Sequence, residues 1–162
     1  MMTLSGKPET SPATASHALQ VPVVGTAGGV GVSTLIGALN DSYGPAAVVF
    51  TEGSWEFCRL THPPATGLAF PLVLVCRHTP NAVEYATRLV AGANRPELTA
   101  LAVSCTTPER VTYASGLALR CVRDVVPVVV LPWVSRMETK GPSRSYVSAA
   151  DRLRDLMATA TD

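Results

Sequence analysis

The sequence predicts an α/β domain built on a parallel β-sheet with helices on both faces. Three observations predict it. Short apolar runs recur along the chain and read as strands buried on both sides, because they lack polar alternation. Segments with helical spacing follow several of them. The composition, 47% hydrophobic and 15% charged, suits a packed core and not a disordered chain or a coiled coil.

A length of 162 residues fits one domain, which we place at residues 20–162. Residues 1–19 are rich in Ser, Thr, Pro and Ala and lack the basic start and apolar run of a signal peptide. They read as a disordered tail. The formal net charge of +1 gives no electrostatic pull toward nucleic acid or a membrane surface. The longest apolar run, "VVPVVVLPWV", is too short to span a bilayer. Cys58, Cys76, Cys105 and Cys121 form no C-x-x-C pair, which argues against structural zinc. They read as free thiols of a reducing cytoplasm.

The elements follow in order. Residues 21–24 form an apolar strand, and a helix starts within 33–40 after a run of glycines. Gly44-Pro45 marks a turn before a second strand at 46–50. About twenty residues with Pro63-Pro64 and Gly67 then carry little regular signal, although Trp55 and Phe57 stand there as material for a partner-binding lid or for packing onto the sheet. A third strand is 72–76. Two similar segments follow at an offset of 28 residues, "VCRHTPNAVEYATRL" and "VSCTTPERVTYASGL". Thr79 and Thr107 are N-cap candidates, and Pro80 and Pro108 suit a first helical position. Val83, Ala86 and Leu89, then Val111, Ala114 and Leu117, fall on one helical face in each copy. Two βα units obeying the same capping rules explain the likeness better than a repeat architecture does. A strand at 125–131 ends at Pro132, and "SAADRLRDLMATA" reads as an amphipathic helix.

Ligands of such sheets bind beyond the carboxyl ends of the strands. The first such turn carries "TAGGVGVST". A phosphate loop of the form G-x-x-x-x-G-K-[ST] cradles phosphate with backbone N–H groups, a helix N-terminus, a lysine and a magnesium-binding hydroxyl. Gly28, Gly29, Val30 and Gly31 keep the turn here, and Ser33 and Thr34 keep the hydroxyls, but Val32 stands where the lysine belongs. The dinucleotide pattern G-x-G-x-x-G fits less well, since a run from Gly29 reaches Thr34 at its last position.

The segment "AGGVGVST" resembles the K-G-G-V-G-K-[ST]-T loop of the MinD/ParA-like partition and division-site ATPases, with Ala27 and Val32 in place of both lysines. The chain is also similar to small bacterial proteins of conjugative or phage-like elements that share a lysine-less loop, an Arg-Thr-His-like turn and a closing L-P-W-V. These are residues 28–35, Arg77-His78-Thr79 and 131–134 here. The resemblance implies a Rossmann-like, P-loop NTPase-type fold with a degenerate site and protein partners, a second copy of the chain among them. It implies ATP or ADP with magnesium as the ligand, held weakly.

No lysine lies between residues 8 and 139 to replace the missing one. Its loss removes affinity and transition-state stabilisation, so efficient hydrolysis is not expected. Arg77, at the end of the third strand, could supply a planar cation to phosphate, or could serve a neighbouring loop. For metal, Ser33 and Glu52 are the candidates, and the plainer reading of Glu52 is an exposed turn carboxylate. His78 reads as a turn residue more than a general base. Trp133 reads as an apolar plug more than a ligand cover. Three functions follow as expectations: a regulatory or scaffolding pseudo-ATPase; an enzyme using Arg77 in place of lysine; or a structural interaction module.

Overall fold

A computed structural model of the chain describes residues 19–41, 48–53, 71–91, 99–108, 112–135 and 137–160. The expected tail up to residue 18, Trp55, Phe57 and Cys58 lie outside the described residues. The strands are β1 (Leu19–Gly25), β2 (Val48–Gly53), β3 (Leu72–Arg77), β4 (Thr99–Ser104) and β5 (Val128–Leu131). The helices are α1 (Val32–Asn40), α2 (Pro80–Ala91), α3 (Tyr113–Arg123), α4 (Met137–Lys140) and α5 (Arg144–Ala160).

All five strands pair in parallel in the order β2-β1-β3-β4-β5. This is a Rossmann-like α/β fold. Strands β3 and β4 are mostly apolar because both faces are covered: β3 is buried from Leu72 to Cys76, and β4 along its whole length. Alternation sends Val73 and Val75 into one core with Leu35, Leu39, Phe50, Leu153 and Met157. Leu72, Leu74 and Cys76 enter the other, with Val83, Ala86, Leu119 and Val122. Helices α1 and α5 therefore cover one face, and α2 and α3 the other. Pro22 is tolerated in β1 because the ladder to β3 begins only at Val23.

Several boundaries depart from the sequence reading. Strand β1 starts at Leu19, a residue expected in the tail, and β2 runs on to Gly53, so Glu52 is an exposed strand residue and not a turn carboxylate. Strand β5 starts at Val128 and not at 125, since Val125 and Val126 still donate backwards to the Val122 carbonyl and Pro127 supplies no N–H. The two similar segments also part company. Helix α2 begins at Pro80 as expected, with Val83 N donating to Thr79 O. Helix α3 does not begin at Pro108: it starts at Tyr113, capped by Thr112, whose hydroxyl accepts from Ser115 N at 3.2 Å. The buried face is accordingly Ser115, Leu119 and Val122, while Ala114 and Leu117 are exposed. A hydroxyl cap five residues downstream outweighs the Thr-Pro signal. Among the described residues no helix is long and apolar enough to cross a membrane.

A glycine-lined crevice at the first strand–helix turn

Strand β1 lies between β2, reached through α1, and β3, reached by a longer connection. Where the neighbours of one strand are supplied in opposite directions, the turns above the carboxyl ends separate and leave a crevice. A crevice of about 500 Å³ opens there, lined by every residue from Gly25 to Thr34 together with Glu52, Gly53, Tyr85 and Leu89.

The loop's path follows from its glycines. Gly29 (φ +71°) and Gly31 (φ +85°) both adopt left-handed backbone, which side chains other than glycine's resist. Between them Val30 turns inward and is buried against the α1–α5 core. Gly25 is required by proximity: a Cβ there would lie 2.9 Å from a Val30 methyl and 3.0 Å from a Val32 methyl. Gly31 is also the N-cap of α1 and has no side chain to accept from the first turn. Helix geometry leaves the N–H groups of Val32, Ser33 and Thr34 without intrahelical acceptors. No acidic residue occupies that turn, so the positive end of the helix dipole is uncompensated there. Ser33 and Thr34 are exposed in the crevice.

Val32 is half-buried and packs against the same core as Val30. At the lysine's position, then, stands a residue recruited to packing. Arg77 is exposed at the end of β3 and reaches the loop as expected, its Nη2 donating to the Gly28 carbonyl at 3.2 Å. It braces the loop at two of the lining glycines: a Cβ built on Gly29 would lie 3.3 Å from the same Nη2. Among the described residues that line the crevice Glu52 is the one carboxylate, and the Arg77 guanidinium is a cation held against the loop. In register, Glu52 sits opposite Val23 and Gly53 opposite Val24, which sets the carboxylate level with the start of the loop.

His78 does occupy the turn after β3, but it is buried, with its N–H donating to Ser104 O and its carbonyl accepting from Ser115 Oγ at 2.8 Å. Its Nε2 lies 3.4 Å from Thr107 Oγ1, and its Nδ1 has no partner. Trp133 is not the expected plug: it is 43% exposed. Burial pushes the Cys76 thiol up to about 12 and the Cys105 thiol upward as well, so both are neutral at physiological pH and neither is an activated nucleophile. Tyr85 and Leu89 were not singled out as site residues from the sequence. Their signal was spacing: four residues apart on α2, with Tyr85 facing away from the buried Val83–Ala86–Val90 stripe.

No protein-family model and no curated protein matches the chain.

Proposed function

We propose that the chain is a phosphate-ligand-binding protein with a degenerate P-loop-type site, a regulatory or scaffolding pseudo-ATPase that does not hydrolyse ATP efficiently. One observation carries this reading. The left-handed glycines and the uncapped start of α1 form a crevice wall suited to an anion, while Val32 at the cationic position is committed to the core. A triphosphate in transfer needs charge neutralisation beyond backbone amides. Its resemblance to MinD/ParA-like proteins and to small proteins of bacterial mobile elements supports a role beside protein partners in partition or transfer.

Titration of ATP and ADP, with and without magnesium, tests this reading. Weak binding that ignores magnesium is the expected result. Micromolar, magnesium-dependent binding abolished by Arg77→Ala would show an enzyme that uses the arginine in place of lysine. Absence of binding at millimolar nucleotide would reduce the protein to a structural module. As a companion, Val32→Lys should raise phosphate affinity about tenfold, the worth of one charge-assisted hydrogen bond. An unchanged affinity would show that the loop does not present its amides to an anion.

A further inference from the structure

We propose that Arg77 serves the anion site without touching the anion: by gripping the Gly28 carbonyl it fixes the Gly28–Gly29 peptide so that the Gly29 N–H is presented to a phosphate oxygen, and its charge reaches the ligand through that peptide. Arg77 is thus a positioning residue. The inference rests on the phosphate-binding reading above and says how such a site works without a lysine.

The peptide plane is the first argument. A trans peptide directs its C=O and its N–H to opposite sides. Arg77 Nη2 donates to Gly28 O at 3.2 Å, so the Gly29 N–H points away from the guanidinium. That N–H makes no hydrogen bond among the described residues, and Gly29 lines the crevice. Nothing within the loop selects this orientation. A glycine stands on each side of the plane, and apart from its chain neighbours no atom lies within 4 Å of a Cβ placed on Gly28. Such a peptide turns at low steric cost until something holds it.

The anchoring of Arg77 is the second argument. Its backbone pairs with Ser104 on β4. The next residue, His78, is buried, with its N–H donating to Ser104 O at 3.2 Å and its carbonyl accepting from Ser115 Oγ of α3 at 2.8 Å. The start of the loop is tied to the same strand, since Thr26 N donates to Val75 O at 2.9 Å. The guanidinium therefore reaches the loop from a strand end that is fixed on both sides. Charge is the third argument. Arg77 is exposed and pairs with no carboxylate among the described residues, so its charge rests on a neutral carbonyl. A cation bonded to the C=O polarises the peptide and strengthens its N–H as a donor. A loop lysine would place its charge on the phosphate directly, whereas this relay delivers less of it, in keeping with weak binding.

The test combines calorimetric titration of the full chain with inorganic phosphate and nuclear magnetic resonance of the Gly28 carbonyl carbon and the Gly29 amide. Arg77→Ala should weaken phosphate about tenfold, the worth of one net hydrogen bond, and should move both resonances in the free protein. Arg77→Lys keeps a charged donor and should recover most of the affinity and of the shifts. Arg77 is exposed, so neither variant threatens the fold. In the wild type the Gly28 carbonyl resonance should hold its position when phosphate saturates the site. Its collapse to the Arg77→Ala position on saturation would show the arginine leaving the carbonyl for the anion, and would overturn the proposal. Equal phosphate affinity in Arg77→Ala and wild type would also overturn it, with the phosphate reading left standing. If the wild type binds no phosphate at millimolar concentration, both fail together.

Discussion

The two ends of α1 are built in opposite ways. At its N-terminus the cap is a glycine, the first turn carries no acid, and Ser33 and Thr34 face an open crevice. At its C-terminus the backbone is clasped. Asn40 Nδ2 donates to Phe50 O at 2.9 Å, and Phe50 N donates back to Asn40 Oδ1 at 3.0 Å. Arg154 of α5, only 6% exposed, donates to the Leu39 and Val48 carbonyls and lies over the Phe50 ring, 5.9 Å from its centroid. That cation sits where the dipole of α1 is negative and its last carbonyls lack helical partners. The lesson is a division of labour along one helix. Hydrogen-bonding capacity is taken up at the end that holds α1, α5 and β2 together, and is left open at the end that faces the crevice.

The sharpest way to break this comparison is Arg154→Ala. It leaves two carbonyls unsatisfied and removes the packing over Phe50, so we expect a loss of about 3 kcal/mol in stability. Urea unfolding should show a lower midpoint at unchanged slope, with phosphate affinity unaltered in the folded fraction. A comparable loss of affinity would mean the two ends are coupled. Next in size is Gly25→Ala. Its Cβ would press on Val30, Val32 and the Ala27 carbonyl, the last 3.2 Å away. We expect about 2 kcal/mol of destabilisation and weaker phosphate binding, because relief requires the loop itself to move. The smallest stability effect is expected for Gly31→Ala, about 1 kcal/mol for an alanine held left-handed at φ +85°. Its mark should be on affinity. Since α1 separates the two ends by about 13 Å, Gly31→Ala and Arg154→Ala should add within about 0.5 kcal/mol in the double variant.

The sequence made much of this legible, for identifiable reasons. Unbroken apolar runs at β3 and β4 can only be strands covered on both sides, and Pro80 after Thr79 marks a helix start by local stereochemistry. The glycine loop was legible because left-handed backbone excludes most other residues. Arg77 fell beside that loop as its place at a strand end requires. The start of α3 was not legible, since Thr107-Pro108 and Thr112 offer competing caps and only the packing of Leu119 and Val122 selects between them. Trp133 could not be placed either, because exposure depends on what lies above it.

By itself, then, the sequence determined the kind of layered sheet, the turn that carries the glycines and the absence of a lysine there, all of which are set by chain-local sterics and residue chemistry. Tertiary structure alone decided that Val32 belongs to the core, that Arg154 closes the far end of α1, and that Glu52 and Tyr85 both line one crevice. Those are contacts between residues far apart in the chain, and only the register of the strands and the faces of the helices bring them together.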